Sequence, residues 1–322
     1  MSEHHHHSDL DPEISQIGEG VIEIDTLLGG WRHVTAGYVI NSPNPILVET
    51  GSQTSVPTLM KALDKIGLGP NDLSGVIVTH IHLDHAGGVG DIAKAFPNAT
   101  VYVHPKGARH LVDPTRLINS AELVYGPLLD GLYGRLLPTE AERIHVLEDN
   151  EVIEVGLNRA LTTIDSPGHA KHHLAILDSQ SGLLFAGDAV GVRLPDVGIL
   201  RPSSPPADFD LDLAVNSLRK FKALKPWRVA LAHYGKVDID PDELLGEAEE
   251  TVVAWAEVAE AAWREGKDIA QALSDRFTID LSHVDPESRR RMETLNGVHS
   301  NAQGLKRWLE TRDSSTSSGT SG

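Results

Sequence analysis

From Gly20 to Leu231 the chain alternates short apolar runs with turn signals. GVIEIDTLL at 20–28 is followed by TAGYVI at 35–40 and PILVETG at 45–51, the last two separated by Asn41-Ser42-Pro43-Asn44. Runs this short and rich in β-branched residues, split by Asn, Ser and Pro, predict strands, and the last two predict a hairpin. Residues 55–67 change period: Val56, Leu59, Leu63 and Ile66 recur at three- and four-residue spacing between an opening Ser and a closing Gly67, with a proline near the start. That is the signature of an amphipathic helix. VIV at 76–78 then predicts a buried strand. EVIEVG, ALTTID, LAILDS and GLLFAGD repeat the strand pattern in a second half, a helix is predicted over 211–224, and RVALAH predicts a last buried strand. Two β-rich halves that each carry helices predict two sheets face to face with helices outside, an α/β or α+β class.

Outside this alternation lie four further segments. Residues 1–17 are polar without a period and 313–322 contain only Asp, Ser, Thr and Gly, so both ends are expected to be disordered tails. Residues 107–138 are apolar and helical in propensity, and predict a helical insert between two strands, either covering a sheet edge or forming a wall of a substrate pocket. In the second case Leu111, Leu117, Leu123, Val124, Leu128 and Leu129 would suit an acyl chain or lactone tail. Beyond Pro241 one long helix and a second over 286–310 predict a C-terminal helical region over 241–312, with Trp255 and Trp263 as packing residues. The main domain is then expected over 18–240.

Composition narrows the chemistry. The 322 residues carry 28 Lys plus Arg against 46 Asp plus Glu, a formal charge of −18, which repels phosphate backbones and anionic headgroups. Nucleic acid and membrane surfaces are therefore not expected as partners. There is no cysteine, so disulfides, thiolate metal ligands and cysteine nucleophiles drop out, and any metal must take nitrogen and oxygen donors. No run of 18 apolar residues occurs, and the start lacks a basic segment followed by an apolar one, which gives the expectation of a cytoplasmic protein. The run His4–His7 is set aside as a tag or a solvated tail.

Directly after the buried strand comes Thr79-His80-Ile81-His82-Leu83-Asp84-His85-Ala86-Gly87-Gly88. Residues two apart on a strand end share a face, so His80 and His82 can address one ion while Ile81 enters the core. Asp84 and His85, on the turn that follows, can reach a second ion, with Gly87-Gly88 expected to let the backbone bend.

This string resembles the signature loop of the metallo-β-lactamase-fold hydrolases, a superfamily that includes glyoxalase II, lactonases, class B β-lactamases, persulfide dioxygenases and flavodiiron proteins. Ser166-Pro167-Gly168-His169, Gly187-Asp188 and Ala232-His233-Tyr234-Gly235 are similar to its later motifs, in the same order and at strand ends. The resemblance implies an αββα sandwich with a C-terminal helical appendage. It implies one metal held by His80, His82 and His169, another by Asp84, His85 and His233, and Asp188 bridging them. The cofactors would be two divalent ions, Zn²⁺ first, with Fe or Mn open on ligand chemistry. Where the superfamily has Asp-Thr-Gly this chain has Glu49-Thr50-Gly51, so Glu49 is expected to orient a metal ligand, and His173 is placed beside the ligands as a hydrogen-bonding residue.

The activity so implied is glyoxalase II-like or lactonase-like: hydrolysis of a carboxylic ester, thioester or lactone by a hydroxide shared between the metals. Asp84 would move the proton to the leaving group, Tyr234 is a candidate oxyanion donor, and Arg193 a candidate anchor for a substrate carboxylate. The expected partners are a small molecule with an apolar acyl part and, for assembly, a second copy of the chain. The alternative is a mononuclear iron oxidoreductase of the persulfide dioxygenase kind on the same residues. His104, His110, His145, His283 and His299 lack ligand spacing and are read as structural or surface residues.

Overall fold

The computed structural model describes residues 10–318 apart from 157, 207 and 278–283, and leaves the side chains of 315–318 undescribed. His4–His7 and His283, and the expectations attached to them, lie outside the described residues. The chain divides into two compact units. One is Met1–Asp165, Leu174–Gly187 and Pro226–Asp238; the other is Ser166–His173, Asp188–Lys225 and Ile239–Gly322. The serial boundary expected at 240 is thus replaced by an interleaved one, because the segments after two of the strands belong with the C-terminal helices.

The first unit holds both sheets. Seven strands, β1 (Ile14–Gly18), β2 (Val21–Asp25), β3 (Ala36–Ile40), β4 (Ile46–Val48), β5 (Gly75–Ile77), β6 (Thr100–Val103) and β7 (Ile144–Val146), lie side by side in chain order. β1 to β4 pair antiparallel and β4 to β7 parallel. The second sheet runs in the order β13-β12-β11-β10-β9-β8, where β8 is Val152–Gly156, β9 Arg159–Asp165, β10 Leu174–Asp178, β11 Leu183–Phe185, β12 Arg228–Leu231 and β13 Gly235–Val237. Strand alternation sorts the first sheet between two cores. Tyr38, Ile40, Val48 and Ile77 pack with Leu174, Ile176, Phe185 and Ala230 of the second sheet. Val39, Leu47 and Val76, on the opposite face, pack with Leu59 and Leu63 of α1 (Val56–Lys65) and with Ile92 of a later helix. With both faces buried, β3 and β4 read as unbroken apolar runs.

α2 (Leu83–Ala86) and α3 (Val89–Ala95) follow β5. The insert between β6 and β7 is helical as expected, with α4 (Pro105–Val112), α5 (Thr115–Tyr125) and a wide turn at Leu129–Tyr133. Its six apolar residues do not share one wall. Leu111 and Leu129 are fully buried, whereas Leu123 is 90%, Val124 65% and Leu128 59% exposed. The helical period of α5 turns Leu123, two residues on from the buried Ala121, to the opposite side of the helix, and Val124 is exposed in its last turn.

In the second unit α6 (Leu211–Leu224) is capped by Asp210, whose carboxylate accepts the Leu213 N–H. α7 (Pro241–Arg264), α8 (Ile269–Arg276), α9 (Pro286–Asn296) and α10 (Val298–Ser318) complete it. Trp255 stacks on Phe277 at 5.2 Å between centroids, and the Trp263 indole donates to Asp313 at 3.0 Å, which places both tryptophans in packing roles.

Three expectations are corrected. The stretch 1–17 is not disordered throughout, since β1 begins at Ile14 and pairs with β2. The stretch 313–322 is not a tail from its start, since α10 continues to Ser318 and Asp313 is anchored by Trp263. The single helix expected over 286–310 is two, broken at Gly297, whose backbone is extended at φ −68° and ψ 153°. No helix among the described residues is long and apolar enough to cross a membrane.

Candidate metal centre

β5 delivers the His-rich string. Ile81 is buried at 2% exposure while the His80 and His82 rings meet edge-on with centroids 4.5 Å apart. His82 then begins α2, its carbonyl accepting the Ala86 N–H at 2.9 Å, and that single turn brings the His85 ring to 4.0 Å from His80. Gly87 and Gly88 serve a different purpose from the bend expected of them. Their φ values, −58° and −89°, suit any residue. A Cβ on Gly87, however, would stand 2.8 Å from the Gln53 backbone nitrogen, and one on Gly88 2.8 Å from a Val56 methyl. Glycine is needed here for close approach of the loop after β4.

That loop carries Glu49, held at φ +65° and 2% exposed. Its Oε1 accepts the Thr79 N–H at 3.1 Å, and its Oε2 lies 3.7 Å from His85 Nδ1. The extra methylene relative to aspartate is thus accommodated, and the carboxylate lies against the His85 imidazole. Thr50 fixes the same turn, its hydroxyl donating to the His85 carbonyl at 2.8 Å.

His233 arrives from the end of β12. Its Nδ1–H donates to the Val34 carbonyl at 2.8 Å, which leaves a lone pair on Nε2. That nitrogen lies 3.2 Å from His85 Nε2 and 3.3 Å from Asp84 Oδ2, and His85 Nε2 is 3.6 Å from Asp84 Oδ1. Asp84, His85 and His233 present one donor atom each, all within 4.8 Å of one another. Bonds of 2.0–2.1 Å to a tetrahedral ion would separate two nitrogens by roughly 3.3 Å. The spacing therefore fits a divalent cation. Burial resists ionisation of Asp84, but the imidazoles of His85, His233 and His82 outweigh it and hold the carboxyl well below the usual carboxylate range.

Within the second unit, His169 Nε2 lies 3.7 Å from Asp188 Oδ2. The His169 Nδ1–H donates to the Ser203 carbonyl at 3.1 Å, and the Ser203 hydroxyl donates to Asp188 Oδ2 at 3.4 Å. His173 is fully buried: its Nε2 accepts the Asp188 backbone N–H at 3.2 Å and its Nδ1 faces the Ser166 hydroxyl at 2.9 Å. It thus bonds the Asp188 backbone directly.

The seven candidate ligands divide five and two between the units. Arg193, the candidate anchor, has Glu247 3.8 Å from its guanidinium. Tyr234 packs on the core between the sheets and lies 4.9 Å from the His33 ring, and burial together with the Asp25 and Glu23 carboxylates pushes its phenol far up, so it keeps its proton. His104 pairs with Asp165 and His145 with Glu151. The acceptors for the ligand imidazoles were missed by sequence reasoning: Thr79, whose hydroxyl is 2.9 Å from His80 Nδ1, and the carbonyls of Val34 and Ser203. A backbone carbonyl leaves no trace in residue type.

Residues 29–233 match the family model of the metallo-beta-lactamase superfamily. The chain belongs to that superfamily. Among its relatives are YobT of Bacillus subtilis, 24% identical over 66% of this chain and 87% of that one, and the probable metallo-hydrolase YflN of the same organism, 26% identical over 61% and 79%. A solved archaeal superfamily protein from Sulfolobus tokodaii superposes with a TM-score of 0.66 at 22% identity, covering 92% of this chain and 98% of that one. The fold is that of the superfamily, and the chain is a hydrolase in this general sense.

Orientation of His85 by Glu49 has a measurable consequence. Glu49→Gln keeps the acceptor for Thr79 but removes the charge beside His85, and is expected to weaken binding of one zinc ion roughly 10- to 100-fold. Competition with a chromophoric chelator measures it; unchanged affinity would remove Glu49 from the site.

Proposed function

We propose that the seven residues form one binuclear centre that hydrolyses a carboxylic ester, thioester or lactone. His80, His82 and His169 would hold one divalent ion, Asp84, His85 and His233 the other, and Asp188 both. The observation that carries this reading is the convergence of His85 Nε2, His233 Nε2 and the Asp84 carboxylate, with the rear nitrogen of His233 committed to a carbonyl. Two such ions, when bound, supply Lewis-acid polarisation of a carbonyl and a water acidic enough to attack at neutral pH.

The chain's own groups do the rest. Asp84, ionised at neutral pH, can accept a proton at a carboxylate oxygen and pass it to the leaving alkoxide or thiolate. His173 and Ser203 keep Asp188 in place, as Thr79, Val34 and Ser203 keep the imidazoles turned. Arg193 would have to leave Glu247 to anchor a substrate carboxylate. Among the three substrate classes, thioesters gain support from a match to the acyl-coenzyme A thioesterase MBLAC2 of Bos taurus, 30% identical over 120 residues, although it covers only 35% of this chain and 40% of that protein.

The test is a panel of acyl thioesters, acyl-homoserine lactones and aryl esters, offered to zinc-loaded protein, chelator-stripped protein and stripped protein given zinc again. Hydrolysis of at least one class should disappear on stripping and return with zinc. A loaded enzyme inert toward all three would overturn the proposal, and one iron per chain with oxygen consumption would replace it with the oxidoreductase alternative.

A further inference from the structure

The second unit buries a group of amides that the proposed chemistry does not use. Asn301 on α10 is 1% exposed and Asn296, at the end of α9, 5%. Side chains this polar are seldom buried without a complete set of partners, and here the partners include Arg201, Pro202 and Ser204 of one segment. The Asn301 carboxamide oxygen accepts the Ser204 N–H at 2.8 Å and the Ser204 hydroxyl at 2.7 Å. The Asn301 amide donates to Asn296 Oδ1 and to the Gly297 carbonyl. The Asn296 amide donates to the Pro202 carbonyl at 3.0 Å. Arg201 closes the set, donating from one nitrogen to the Asn296 carbonyl at 2.9 Å and to Glu293 at 2.8 Å.

The approach of α10 is as close as backbone allows, since a Cβ on Gly304, one turn beyond Asn301, would overlap the Ser204 carbonyl. What this grip holds is the residue in the middle. Ser203 lies between Pro202 and Ser204, and it is the Ser203 carbonyl that accepts from His169 and the Ser203 hydroxyl that donates to Asp188. On its other side the segment pairs with Val192, through Val192 N–H to the Arg201 carbonyl at 2.9 Å and the reverse bond at 3.0 Å, and Gly191 next to it donates to the Asp188 carbonyl at 3.0 Å.

We propose that Asn301 and Asn296 are positioning residues for metal binding: through Ser203 the C-terminal helices set the orientation of His169 and Asp188. The inference rests on the reading of His169 and Asp188 as ligands. A residue bonded directly to a metal ligand alters affinity roughly 10- to 100-fold when removed; Asn301 acts one step further back, through Ser203, so its effect is expected at or below the lower end, whereas a residue that only packs the helices lowers stability and leaves the metal alone.

The experiment titrates the full-length, metal-stripped chain with Co²⁺ against a competing chelator, following the visible spectrum of the bound ion alongside thermal melting. Wild type is expected to take two ions and His169→Ala one. Asn301→Ala should weaken at least one of the two binding steps, by up to roughly 10-fold, the lower end of the range for a group bonded directly to a ligand. Ser204→Ala, which loses only the hydroxyl bond, should shift the same step in the same direction by less, and it serves if Asn301→Ala does not fold. Arg312→Ala, also on α10 and paired with Glu260, should lower the melting temperature without moving either step. Two wild-type steps in both Asn301→Ala and Ser204→Ala would overturn the inference, as would an equal shift in Arg312→Ala. A wild-type chain that takes no cobalt would overturn the reading of the ligands themselves, and this inference with it.

Discussion

His233→Ala is expected to lower kcat/KM by about 10³ and the metal content from two ions to one. The variant deletes the nitrogen 3.2 Å from His85 Nε2 and 3.3 Å from Asp84 Oδ2, so that ion would keep only Asp84, His85 and a share of Asp188, whereas a catalytic site normally has three protein ligands besides its water. Losing one ion forfeits several kcal/mol of charge stabilisation in the transition state, and each 1.36 kcal/mol is a factor of ten. Asp84 changes as well, because a neighbour that holds its carboxyl down is gone and its proton affinity rises toward the ordinary range. Elemental analysis and initial rates on the best substrate check both halves. Two ions and an undiminished rate would mean that His233 is not a ligand.

Arg159→Ala is expected to cost about 3–5 kcal/mol of stability, the usual penalty for breaking a buried ion pair by removing one member. Arg159 and Asp178, 2% and 0% exposed, form a two-pronged pair: Nε to Oδ1 at 2.8 Å and a terminal nitrogen to Oδ2 at 2.6 Å. The guanidinium also donates to the Gly20 carbonyl at 3.3 Å, tying the second sheet to the turn between β1 and β2. Without it Asp178 stays buried with its charge unmatched, although it still accepts from Gln180 and Ser181.

The pH dependence of that loss has a definite sign. Burial works against the Asp178 charge, but Arg159 and Ser181 more than compensate and place its carboxyl below the ordinary value. A depressed folded-state pKa contributes stability that is complete above the unfolded value of about 3.9 and disappears as pH falls through the folded one. In Arg159→Ala the carboxyl loses its cation and its pKa rises, so the gap between variant and wild type should narrow on acidification from pH 7 toward 4. Urea unfolding at several pH values measures it, and a gap that widens would show that Asp178 is not the group responsible.

How much of this was legible beforehand differs from element to element. α1 and α6 were readable because their apolar spacing and end residues are local properties. β1 was not, since ISQIG has only two large apolar residues, Ile14 and Ile17, without strand alternation, and is a strand only because β2 lies beside it. The break at Gly297 escaped notice for a related reason: the residues on either side are helical, and only the carbonyl of Glu293, which a Cβ would meet at 2.5 Å, makes glycine matter there. The apolar wall expected of the insert failed because composition does not say which way a helix is rotated.

Sequence alone determined the class of donors, nitrogen and oxygen, since there is no cysteine, and it determined the strand-and-helix alternation, which rests on side-chain period. Tertiary structure decided what the donors lean on. The Val34 and Ser203 carbonyls, the Glu49 carboxylate at φ +65° and the asparagines of α9 and α10 act across tens to hundreds of positions. Orientation of a ligand depends on hydrogen bonds to whatever backbone lies next to it in space, and adjacency in space is settled only when each unit has packed.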